Sequence, residues 1–77
     1  MEYEKFLTWL RTEKGLSERS ARDVVSRLRR AMSIINSDKV TSTSLEKLNA
    51  GAEFASLTMS VKSQLRRSIA LYTEFSK

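Results

Sequence analysis

Seventy-seven residues with no cysteine, histidine or proline make one domain at most, held by side-chain packing rather than by disulfides or thiolate metal sites. Fourteen Lys and Arg against nine Asp and Glu give a net charge of +5, a balance that favours a polyanionic partner. No apolar run approaches the ~20 residues that cross a bilayer, and Met1-Glu2-Tyr3-Glu4-Lys5 lacks the basic-then-apolar order of a signal peptide, so the expected location is the cytoplasm, with no membrane partner.

The chain reads as four helices, at about 2–14, 18–35, 44–50 and 59–75. In the first, Tyr3, Phe6, Leu7 and Leu10 fall at i, i+3, i+4 and i+7, the spacing of one apolar face. Trp9 lies off the centre of that stripe, either covering the core edge or standing at a contact surface. Gly15 is the stop signal, because glycine takes the left-handed conformation that closes helices. Ser17 is a good N-cap for the second helix. There Ala21, Val24, Val25, Leu28, Ala31, Met32 and Ile35 keep one stripe through almost five turns.

Asn36-Ser37-Asp38 reads as a turn. Thr43 with Glu46 fits a capping box for a short third helix, which Gly51 should end. Within Ala52 to Leu57, Phe54 and Leu57 are expected in the core, with another short turn allowed. Thr58 or Ser60 caps the last helix, whose stripe is Val61, Leu65, Ile69, Tyr72 and Phe75, with Ser68 in the same sector. Tyr3 and Tyr72 both sit on apolar stripes and are read as core residues.

At about 100° per residue, Arg19, Arg22, Ser26 and Arg29 share a sector of the second helix roughly opposite its apolar stripe. Arg30 borders that sector. Arg27 lies on the other flank near Asp23, a possible intrahelical partner. Such a face either keeps the helix solvated or binds an anion; three arginines in register without an interleaved acid favour the anion. The last helix repeats the pattern with Lys62 and Arg66 at i, i+4 and with Ser60 and Ser63 near its start. Its hydroxyls and free N–H groups suit phosphate oxygens, although ordinary capping explains the hydroxyls as well.

Catalytic chemistry has no foothold. Histidine and cysteine are absent, there is no glycine-rich phosphate loop, and the carboxylates are scattered. The expectation is therefore a non-enzyme with no cofactor and no metal.

The stretch Phe6-Leu7-Thr8-Trp9-Leu10-Arg11-Thr12-Glu13-Lys14-Gly15-Leu16-Ser17-Glu18-Arg19-Ser20-Ala21 resembles the opening of the core-binding domain of tyrosine recombinases, the phage-integrase type. There a helix reading F-x-x-W/Y-L leads into K-G-L-S-x-x-T and a second amphipathic helix; Ser20 stands where that threonine usually is. Val61 to Phe75 is similar to the family's last helix, often L-R-x-F/Y-x-x-F/Y-L. The resemblance implies a four-helix SAM-like bundle that grips double-stranded DNA through its second and fourth helices. By position it points to Lys14, Arg19, Arg22, Ser26 and Arg29, with Arg30 at the border, and to Ser60, Lys62, Ser63 and Arg66. The recombinases' catalytic domain has no counterpart here, so the expected role is DNA binding without cleavage. The source would be a phage or other mobile element, and the chain either a recombinase fragment or, as Met1 favours, a freestanding regulator. The competing expectation is a protein-interaction module that uses an exposed Trp9 and Phe54 surface.

Overall fold

A computed structural model describes residues 2–77 and contains α1 (Tyr3–Thr12), α2 (Glu18–Ile34), α3 (Ser44–Ala50), α4 (Ala52–Ala55) and α5 (Met59–Phe75). No strand occurs among the described residues. The all-helical bundle expected from the sequence forms, with five helices in place of four. The additional one, α4, is a single turn after Gly51 that seats Phe54 in the core.

Local chemistry sets the boundaries. Ser17 and Thr58 are the N-caps of the two long helices: Ser17 Oγ accepts the Ser20 N–H at 3.1 Å, and Thr58 Oγ1 accepts that of Val61 at 3.3 Å. Ser60, the alternative cap, lies inside the first turn of α5. The capping box expected from Thr43 and Glu46 does not form. Thr43 has φ −100° and ψ 1°, not the extended backbone that aims a cap side chain over the first turn. Thr41 organises this turn instead: its Oγ1 accepts the Thr43 N–H, and its own N–H donates to the buried Ser44 Oγ at 2.8 Å.

Two left-handed residues end the first two helices. Asn36, with φ 53°, closes α2: its N–H reaches the Ser33 carbonyl while the Ser37 N–H reaches that of Met32, the paired bonds of a Schellman motif. After α1, Gly15 has φ 65° and the Leu16 N–H returns to the Leu10 carbonyl at 3.1 Å. A Cβ at Gly15 would meet nothing within 4 Å, so Gly15→Ala isolates the backbone cost of the left-handed conformation. It is expected to destabilise the fold by about 1–2 kcal/mol, read as a lower urea midpoint at unchanged slope.

The core is built from Phe6 and Leu10 of α1, Ala21, Val24, Leu28, Ala31 and Met32 of α2, Leu48, Phe54, and Leu65 and Ile69 of α5. The α2–α5 packing is the most extensive. Ala21, Ala31 and Ser68, all buried and small, suit close approach of helix backbones. Buried Ser68 keeps its hydroxyl satisfied by donating to the Leu65 carbonyl at 2.7 Å. Phe6, Trp9, Tyr72 and Phe75 form a ring cluster that ties α1 to the last turns of α5, with Phe6 5.0 Å from Tyr72 and 5.4 Å from Phe75 between centroids. The body measures 35 × 23 × 15 Å. So thin a body leaves each long helix one face against its neighbours and one face in solvent.

Candidate nucleic-acid interface

The second helix divides most sharply. Its buried residues occupy one side, while Arg19, Arg22, Ser26, Arg29 and Arg30 are all exposed. From Arg19 to Arg30 they span about 16 Å of helix axis at a rise of about 1.5 Å per residue. Four of the helix's five arginines, Arg19, Arg22, Arg29 and Arg30, are thus exposed against two acids, Glu18 and Asp23, so the outer face is cationic. Arg19, Arg22, Ser26 and Arg29, with Arg30 at the border, lie on the exposed side that the spacing predicts.

Two details differ from the sequence reading. The arginine register is not free of acid, because Glu18 Oε1 lies 3.3 Å from Arg22 Nη2. The two side chains are 68% and 56% exposed, and a pair that open is worth little, leaving Arg22 available to a competing phosphate. The anticipated Arg27–Asp23 pair does not form among the described residues. Arg27 is half-buried on the opposite flank of α2.

Arg29 has a different kind of partner. Its guanidinium carbon lies 4.6 Å from the centroid of the Tyr3 ring, a cation–π distance. Tyr3 also packs against the core from its half-buried position in α1, so its core placement is right but incomplete. Beside this stack, α1 and α2 enclose an open hollow of about 260 Å³ with Leu7 and Val25 among its walls and Arg22 and Arg29 on its rim.

The last helix does not assemble the expected four-residue patch. Lys62 and Arg66 lean over the Phe54 ring, at 5.8 and 5.2 Å from its centroid, and Arg66 Nε donates to Asn49 Oδ1 at 3.0 Å. Both therefore help seat the α3–α4 segment on α5. Ser60 and Ser63 are exposed, and Ser60 does not share a face with Lys62 two residues on. Lys14 is engaged as well: its Nζ is 2.5 Å from Glu74 Oε1 and 5.5 Å from the Trp9 ring centroid.

The two rings expected at an apolar docking surface are placed differently. Phe54 is 2% exposed, being the residue that anchors α4. Trp9 is half-buried, 5.6 Å from Phe75 and 6.1 Å from Phe6 between centroids. Phe54 is thus withdrawn from the surface, and Trp9 is partly covered by packing. Among the described residues, no group of three or more His, Cys, Asp or Glu is placed to hold a metal ion, and no helix is long and apolar enough to cross a membrane.

The partners that sequence reading missed fall into two kinds. Glu18 sits one turn before Arg22, and the i, i+4 rule applied to that pair would have found it. Tyr3 with Arg29, Glu74 with Lys14, and Phe54 with Lys62 and Arg66 join different helices, and no local spacing encodes them.

No protein-family model matches this chain, and no curated protein or solved structure matches it.

Proposed function

We propose that this chain is a non-catalytic DNA-binding module that follows the phosphate backbone of duplex DNA with the outer face of α2. The observation that carries this reading is the exposure of Arg19, Arg22, Arg29 and Arg30 on one helix face, opposed by few acids. An α-helix fits the major groove, which is about 12 Å wide, and arginines along its outer side can bond both groove walls. The bases are not the principal target, since phosphate contacts position a protein without reading sequence. Single-stranded nucleic acid fits less well, because stacking aromatics do not alternate with these arginines.

The resemblance to the core-binding domain of tyrosine recombinases agrees with this role and would make the small helical bundle a SAM-like one. It supports placing the chain in a phage or mobile element, as a regulator or as part of a recombinase. The interface differs from the one the resemblance implies, in that Lys14, Lys62 and Arg66 hold helices together and α2 carries the contact.

The test is fluorescence anisotropy with a labelled duplex of about 20 base pairs, titrated from about 50 to 200 mM salt. With ~4–6 phosphate contacts, log affinity should fall against log salt with a slope of about −4 to −5. Absence of binding at low salt, or binding indifferent to salt, overturns the reading. Glu18→Gln removes an acid from the rim and releases Arg22. It is expected to tighten duplex binding about twofold to threefold at low salt, with the thermal midpoint lowered slightly because α2 loses its first-turn acid.

A further inference from the structure

The Tyr3–Arg29 stack gives α1 a part in the same interface, an inference that rests on the DNA-binding reading. We propose that Tyr3 is a positioning residue: its ring holds the Arg29 guanidinium as a preformed fork for one DNA phosphate at the α1–α2 rim.

The argument starts from the geometry of the two groups. A guanidinium is planar and carries its N–H donors in that plane. The Arg29 guanidinium carbon lies 4.6 Å from the centroid of the Tyr3 ring, which holds the guanidinium against the ring, while Arg29 as a whole stays exposed and so accessible to an anion. A phosphate accepts two parallel N–H bonds from such a fork. An arginine waving freely in solvent loses rotamer freedom when it binds, whereas one already held by a ring loses less.

The surroundings support an external ligand. Arg29 is exposed, and no carboxylate among the described residues lies within ion-pair distance of it. Glu2 and Glu4 border the neighbouring hollow without reaching it. Tyr3 and Arg29 together line three adjoining hollows, so the stack forms the ridge between them. Tyr3 itself is anchored because it packs against the core.

The experiment is duplex anisotropy at about 50 mM salt with Tyr3→Leu, Tyr3→Phe, Arg29→Lys, Arg29→Ala and the double variant Tyr3→Leu/Arg29→Ala, with circular dichroism as the control for folding. Tyr3→Leu is expected to weaken binding about threefold to fivefold, while Tyr3→Phe, which keeps the ring face, stays within about twofold. In the Arg29→Ala background Tyr3→Leu should cost nothing further, the signature of a residue acting only through Arg29. Arg29→Lys keeps the charge, the native Tyr3 and the core, and should still lose about threefold or more because a lysine cannot form the fork. Wild-type affinity in Tyr3→Leu or in Arg29→Lys overturns the proposal, as does an equal Tyr3→Leu loss with and without Arg29. Those outcomes leave DNA binding intact, whereas failure of the wild-type chain to bind the duplex overturns the underlying reading as well.

Discussion

Phe6→Ala is expected to leave the chain largely unfolded in water at room temperature. Phe6 is 0% exposed and touches three other rings, Trp9, Tyr72 and Phe75. Removing a buried phenyl ring costs about 3–5 kcal/mol through lost transfer energy and the cavity left behind. A core in a chain of this size supplies about 3–5 kcal/mol in total, so the single loss equals the whole margin. The fold has no disulfide in reserve to shift the balance. Far-ultraviolet circular dichroism should show most of the helix signal gone without denaturant, and stabilising osmolytes should restore part of it. Phe6→Leu keeps much of the volume and is expected to cost about 1–1.5 kcal/mol, leaving a cooperative transition at a lower urea midpoint. A Phe6→Ala protein that melts cooperatively near the wild-type midpoint would show that the ring cluster contributes little.

The second large effect concerns binding. Changing Arg19, Arg22, Arg29 and Arg30 together to alanine is expected to lower duplex affinity on the order of a hundredfold at low salt. Each lost phosphate contact reduces the salt slope by about 1, so the slope should flatten from about −4 or −5 to between about 0 and −1. The fold should survive, since surface substitutions away from caps and core usually stay within about 0.5 kcal/mol each and alanine is the best helix former. Lys39 and Lys47 are exposed and lie off α2. Changing both to alanine provides the comparison, with a loss of less than about threefold expected. An equal loss per charge removed in the two variants would mean that net charge, and not the α2 face, governs the interaction.

The helices were legible because their signals are local. Periodicity through α2, the caps Ser17 and Thr58, and the stops Gly15 and Asn36 all act within a few residues of the boundary they set. The turn before α3 was misread for a related reason: Thr41, Thr43 and Ser44 offer competing hydroxyls, and which of them caps depends on a backbone angle that composition does not fix. The α2 face was legible as a consequence of helix geometry alone. The α5 patch was not, because Lys62 and Arg66 are positioned by Phe54 and Asn49, residues whose proximity is decided by the packing of α3 and α4 on α5. Lys14 likewise meets a partner that no local spacing encodes, Glu74 of the last helix. Charge on a helix can be counted from the sequence, but whether a neighbouring helix has already claimed it cannot.

The ring cluster has a kinetic consequence too. It joins Trp9 near the start of the chain to Phe75 near its end, so forming it requires closing a loop that contains nearly every other residue. Loop-closure entropy opposes such a contact until the intervening helices have docked, while the short-range α1–α2 hairpin carries no comparable cost. The cluster is then assembled after the rate-limiting barrier. Conservative changes in it, such as Phe75→Leu, should speed unfolding while leaving the refolding rate almost untouched. The clasp between the first and last helices governs how long the folded module lasts rather than how quickly it forms.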